Sequence, residues 1–248
     1  NKSLSLDPSD QASYLLLADV AYFVEWNFEL AEQYYRKAIE ISKTNPKAYY
    51  KYTEFLLTAG KFDLAIEHGN QYKKLEPAGY LLSSVAWGYT MMEDYEKALI
   101  ELDKLKAVEP DAFIYHVSMQ AVLEYMGEEE ASFSHLLRIF EQSNYTGNEL
   151  NSAKKQFAKG GLAAVNLWLL EVKKEQNYIG QFTPPLSYAR YALTAGKTDL
   201  AVEFIQQAWA ERNTLLLWFN VDPKYKTIRN HPKLKHLINA KQTDISAK

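Results

Sequence analysis

Cysteine is absent from this sequence. Its absence excludes disulfides, thiolate metal sites and a cysteine nucleophile, and it is compatible with any compartment. Glycine and proline are scarce, at ten and eight of 248 residues, and they fall mostly at regular intervals. No segment is therefore low in complexity or charged enough to predict disorder, apart from the first ten residues and the tail from Gln242. Long apolar runs are also missing. The longest span a few residues, against the ~20 needed to cross a bilayer, and no signal peptide is visible. A formal net charge of −3 argues against a nucleic-acid-binding domain. What remains is 47% apolar and 24% charged residues, enough for a sizeable core. The chain begins Asn1-Lys2 rather than with Met, and it is expected to be part of a larger protein.

What is present is a repeat. Phe28-Glu29-Leu30-Ala31, Phe62-Asp63-Leu64-Ala65, Tyr95-Glu96-Lys97-Ala98 and Glu128-Glu129-Glu130-Ala131 align. Their alanines Ala31, Ala65, Ala98 and Ala131 are separated by 34, 33 and 33 residues. A later copy, Gly196-Lys197-Thr198-Asp199-Leu200-Ala201, lies 70 residues past Ala131, which leaves room for one more unit pivoting on Ala163 or Ala164. Each unit holds two stretches with apolar residues at i, i+3, i+4 and i+7, the period of an amphipathic helix rather than a strand. Alanine at the crossing point lets two helix backbones approach closely. Gly60, Gly127 and Gly196 are expected in the turns, and Pro46, Pro77 and Pro110 at new helix starts. A single hairpin cannot bury its apolar face, but a stack can.

The period and its residues resemble the tetratricopeptide repeat (TPR) family. The family pattern places an aromatic three residues before the key alanine, an aromatic or Leu four after it and a small residue seven after it. Phe28, Phe62 and Tyr95 fill the first position, Tyr35, Leu102 and Ile205 the second, and Ala38 and Ala208 the third. Pro77 and Pro110 stand where units close. Two units depart from the pattern. Gly69 and Tyr72 replace the aromatic and the alanine in the second, and His135 and Arg138 occupy usually apolar or small positions in the fourth. The resemblance implies an all-α, right-handed TPR-type superhelical solenoid of about six hairpins with a C-terminal capping helix. Residues 10–143 would be regular units, 144–182 an irregular unit, and 183–240 the last unit plus cap. Within the irregular part, 148–159 reads as a polar helix, 161–176 as an apolar one and 177–185 as a loop. A short helix over 232–240 is expected to cap the stack.

The C-terminal part resembles something narrower. Ala189-Arg190-Tyr191-Ala192, Glu211-Arg212, Val221-Asp222-Pro223-Lys224-Tyr225 and His231-Pro232-Lys233-Leu234 are similar to the end of TPR regions in bacterial winged-helix regulators of the CadC/ToxR type. Leu234 stands where an aromatic is usual. This resemblance implies a sensory or interaction module that binds a small ligand or dimerises. Such a module would be cytoplasmic, or periplasmic in a membrane-anchored regulator. Residues 1–248 contain no winged helix, so no contact with nucleic acid follows for this chain.

Catalytic, cofactor and metal signals are weak. Gly196-Lys197-Thr198 matches the end of a phosphate-binding loop, but Tyr191 stands where that motif needs glycine, and the tripeptide falls in a helix–helix turn. The five histidines, His68, His116, His135, His231 and His236, show no i, i+4 pair, so structural or surface roles are expected. Glu128-Glu129-Glu130 reads as the acidic start of a helix. Lys224, Lys226, Arg229, Lys233 and Lys235 read as a solvated basic cap. No serine–histidine–aspartate constellation stands out, and neither an enzyme nor a cofactor is expected.

In the TPR family the first helix of each unit points its second, fifth, ninth and twelfth positions into a groove. Counting from the alanines, these include Leu16, Val20, Phe23, Tyr50, Glu54, Leu57, Tyr80, Ser83, Trp87, Thr90, Phe113, His116, Gln120 and Leu123. Tyr50, Glu54, Tyr80, Trp87, His116 and Gln120 are the candidate peptide-contacting residues. Their chemistry suits a protein or peptide partner. It lacks the Lys/Asn/Arg clamp that holds chaperone tails. The groove packing against the chain's own C-terminal half is the alternative, and a homodimer is compatible with either.

Overall fold

The computed structural model describes residues 9–77, 83–178 and 184–235, with side chains omitted at 174–178. The described residues are all-α. Helices follow one another as hairpins: α1 (Gln11–Asp19) continues through a π turn (Val20–Glu25) and pairs with α2 (Phe28–Ile41). Next come α3 (Pro46–Thr58) with α4 (Phe62–Leu75), and α5 (Ser84–Met91) with α6 (Tyr95–Val108). Then α7 (Phe113–Met126) pairs with α8 (Glu129–Gln142). α9 (Gly147–Tyr178) is broken at Gly160-Gly161, and α10 (Pro185–Thr194) pairs with α11 (Thr198–Ala210). Three 3₁₀ turns, Thr214–Trp218, Pro223–Tyr225 and Pro232–Leu234, end the described chain. The chain forms two compact units, the first up to Pro110 and the second from Asp111 to the end of the described residues.

Local chemistry sets the helix ends. The Asn27, Asn45 and Asp94 side chains accept from Leu30, Lys47 and Lys97 backbone N–H at 3.1, 3.0 and 3.3 Å, satisfying donors the helices leave open. Pro46 occupies the first turn of α3, as expected. Pro110 does not start a helix. It lies three residues before Phe113, the first residue of α7. The helix expected after Pro77 falls partly on 78–82, outside the described residues. Gly60, Gly127 and Gly196 close helices at φ of 75°, 81° and 70°.

In the first unit, Ala31, Ala65 and Ala98 are at most 1% exposed, at the positions expected of crossing points. The Gly69/Tyr72 departure has a packing reason. Tyr72 is buried, and a Cβ at Gly69 would stand 2.8 Å from Val85 Cγ2, so glycine gives α5 the room to approach.

In the second unit the expected register is corrected by one residue. Ala131 is exposed, and Ser132 is wholly buried. Ser132 is the fourth residue of α8, the rank that Ala31, Ala65, Ala98 and Ala201 hold in α2, α4, α6 and α11. Its hydroxyl donates to the Gln120 carbonyl at 2.9 Å, so serine makes the close crossing while remaining hydrogen-bonded. The irregular unit does not pivot on Ala163 or Ala164 either. Leu162, Val165 and Leu169 share a core cluster with Ala153, Phe133 and Phe140. Gly161 breaks α9 at φ 60°, where a Cβ would collide with Glu129 Oε2. That same oxygen accepts from Leu162 N–H at 3.2 Å and starts the second limb. The loop expected over 177–185 is shorter at both ends, since α9 reaches Tyr178 and α10 begins at Pro185; residues 179–183 lie outside the described residues. The expected cap begins as the 3₁₀ turn Pro232–Leu234, and 236–240 lie outside the described residues.

Candidate binding face

One face of the first helix in each hairpin carries the candidate residues, and the two units treat it differently. In the first unit it is apolar and open. Leu16 and Val24 are 64% exposed, and Val20 and Phe23 are 37% exposed, all on the stretch running from α1 into its π turn. Tyr50, Glu54 and Trp87 are half-buried on α3 and α5, and Leu57 and Thr90 are buried beneath them. Tyr80 lies outside the described residues.

Charge on this face is uneven. Lys51 is ion-paired with Asp19, which also accepts the Tyr35 hydroxyl at 2.8 Å. Tyr22, buried beneath, bonds the Thr58 hydroxyl at 2.6 Å. The Glu54 carboxyl is raised above its ordinary range by burial; the Tyr50 hydroxyl that bonds it and the Lys51 charge pull the other way. Asp19 and Glu54 thus face one lysine, and the lysine is held by Asp19. Among the described residues, no cation is ion-paired with Glu54.

In the second unit the corrected register moves the candidates. His116 and Gln120 fall one residue short of the fifth and ninth positions and turn into their own hairpin. His116 is 6% exposed, with Nε2 3.0 Å from Asp111 Oδ1 and Nδ1 2.8 Å from His135 Nδ1. Gln120 donates to Ser132 Oγ at 3.3 Å and to Glu124 Oε2 at 2.9 Å. These contacts also account for the odd residues of the fourth unit, because His135 meets His116 and Arg138 binds Asp111 at 2.8 Å and Glu141 at 2.7 Å. Among the described residues, no group of three or more histidines and carboxylates could hold a metal ion.

The true twelfth and thirteenth positions of α7 are Glu124 and Tyr125. They meet the chain's own Asp222-Pro223-Lys224 segment. Lys224 Nζ binds Glu124 and the Thr194 hydroxyl, while Thr194 also donates to Glu124 at 2.8 Å. Tyr125 donates to Asp222 Oδ1 at 2.6 Å, and Arg190 binds the other oxygen and reaches the Tyr125 hydroxyl at 3.3 Å. The Arg190 guanidinium lies 5.9 Å from the centre of the Tyr225 ring. Burial pushes the Glu124 and Asp222 carboxyls up, but Lys224 and Arg190, with the hydrogen bonds around them, hold both below their ordinary values.

Sequence reasoning missed Glu124, Arg190, Asp222 and Lys224 as partners, although Arg190 was within its reach. It stands eleven residues before Ala201, as Glu54 does before Ala65 and Trp87 before Ala98. The basic cluster is split. Lys226, Lys233 and Lys235 are exposed, Lys224 is half-buried and held in its ion pair, and Arg229 donates to the Phe219 and Asp222 carbonyls at 3.2 and 2.5 Å. Gly196-Lys197 lies in the α10–α11 turn and Thr198 begins α11, so a helix precedes them where a phosphate loop requires a strand. No described helix is long and apolar enough to cross a membrane.

No protein-family model matches the sequence, and no curated protein matches it. Among solved structures, the chain is similar to TTC0263, a thermophilic TPR protein in Thermus thermophilus. That similarity covers 94% of this chain and 99% of the other, with 14% identity and a TM-score of 0.51. The crystal structure of MamA covers 57% of this chain and 83% of its own at 17% identity, with a TM-score of 0.49. Nothing in these likenesses supports the winged-helix-regulator resemblance of the C-terminal part. The likeness to TTC0263 supports an all-α fold of sequential helix hairpins that matches TPR solenoid structures.

Proposed function

We propose that this chain is a non-catalytic module that binds a protein or peptide on the first-helix face of its first unit. The observation that carries the proposal is the exposed strip Leu16, Val20, Phe23 and Val24. It forms one continuous apolar edge on a helix whose other side is buried, and clustered exposed apolar residues mark interaction sites. Tyr50 and Trp87, half-buried on the same register, offer aromatic anchors at low conformational cost. In the second unit Glu124, Tyr125 and Arg190, on the same face, are engaged by the chain's own Asp222 and Lys224.

Panning phage-displayed random dodecapeptides against the full chain tests this. Selected peptides are expected to lose binding to Leu16→Asp/Phe23→Asp and to Tyr50→Ala/Trp87→Ala variants. The first pair changes only exposed side chains, so its fold should be intact by circular dichroism. Selected peptides that bind both variants as they bind the parent would refute the placement.

A further inference from the structure

We infer that the first-helix face of the first unit is built for a cationic ligand: a peptide segment that sets a lysine or arginine against Glu54 with apolar side chains on either side. This rests on the binding reading above and specifies its partner.

Three observations converge on it. The first is charge. Lys51 is committed to Asp19, so among the described residues Glu54 is left without a cation of its own. The second is setting. Glu54 is half-buried on α3, between the exposed apolar edge of α1 and Trp87 of α5 in the register, with the Tyr50 hydroxyl bonded to it. A carboxylate withdrawn from water, and held among the described residues by one neutral donor, gains most from an incoming cation, because it can accept further hydrogen bonds and the local dielectric is low. Its raised pKa agrees with this, since the charged form is the one lacking support.

The third observation is an example within the same molecule. In the second unit a first-helix carboxylate, Glu124, receives Lys224 from a segment that crosses the face, with Pro223 before it and the wholly buried Tyr225 after it. Lysine flanked by apolar residues against a half-buried carboxylate is therefore a pairing this fold already makes. The two sites differ in position, twelfth in α7 and ninth in α3, and in supply, since Glu124 has its lysine in the chain and Glu54 has none among the described residues. The preference is opposite to that of a basic clamp for acidic tails. It also explains why polar Glu54 sits beside so much apolar surface: the apolar edge provides area and the carboxylate provides register.

The selected dodecapeptides decide the matter when they are measured against the parent, Glu54→Gln and Glu54→Lys forms of the full chain. The inference expects lysine or arginine to be enriched at one position between apolar residues. It expects affinity to fall about tenfold or more in Glu54→Gln. Panning on Glu54→Lys should then yield peptides with an acidic residue at that position. Peptides that need Leu16, Phe23, Tyr50 and Trp87 but show no basic enrichment, and bind Glu54→Gln equally well, would overturn the cationic inference and leave the binding face standing. Peptides indifferent to all of these residues would overturn both.

Discussion

The two units present the same face of their first helices in opposite states. In the second, Glu124, Tyr125, Arg190 and Thr194 are covered by the chain's own Asp222 and Lys224. In the first, Leu16, Val20 and Phe23 are exposed and Glu54 has no ion-pair partner among the described residues. A hairpin stack buries its crossing residues regardless, so the face beyond them is free to be filled from within or left for a partner. Here each solution occurs once, and the charged residues differ accordingly. The covered face balances Glu124 and Asp222 with Lys224 and Arg190. The open one leaves Glu54 without an ion-pair partner among the described residues.

That contrast can be broken most forcefully at Arg190. Arg190→Ala removes the cation opposite Asp222, which is 5% exposed, and should destabilise the chain by about 3–5 kcal/mol in urea unfolding. A loss under about 1 kcal/mol would mean that the segment does not close the second unit. Next in size is a change in the first unit's core. Ala65→Leu should cost about 1–3 kcal/mol through overpacking at a crossing point 1% exposed, and an unchanged melting temperature would contradict the register.

Acidification should separate the two faces by sign. Glu124 and Asp222 bind protons less tightly when folded, from ordinary values of 4.5 and 3.8. Their contribution is fully present above those values and is lost as pH falls through the lower folded ones. Glu54 behaves oppositely. Its folded value is raised, so its contribution is present below 4.5 and lost as pH rises through the folded value. Glu124→Gln should therefore flatten the acid limb of the stability–pH profile, and Glu54→Gln should steepen it. The smallest effect is Glu54→Gln at neutral pH, a shift within about 0.5 kcal/mol, or a slight gain, by urea unfolding. A loss of several kcal/mol would assign Glu54 to the core rather than to a ligand.

Much of this was legible in the sequence. The alanine spacing identified the hairpins, and Ala31, Ala65, Ala98 and Ala201 all lie buried at the crossings. The fourth unit was not, because serine can replace alanine at a crossing when a carbonyl accepts its hydroxyl. Reading Ala131 for Ser132 moved the face by one residue and put His116, Gln120 and Leu123 on it in place of Val117, Ala121 and Glu124. The break at Gly160-Gly161 was anticipated as two helices, but Glu129 as its cap was not, since that contact spans 33 residues. Closure by Asp222 and Lys224 was invisible for the same reason. Charges 97 and 100 residues from Tyr125 and Glu124 are paired by the path of the chain, not by any local pattern.

The most direct test is a hydrogen-exchange footprint of a selected dodecapeptide on the full chain. The account predicts slowed exchange in α1, its π turn, α3 and α5, with α7, α10 and residues 221–225 unchanged. Protection confined to α7 and α10, with faster exchange at 221–225, would show the peptide displacing the chain's own segment and would contradict the account.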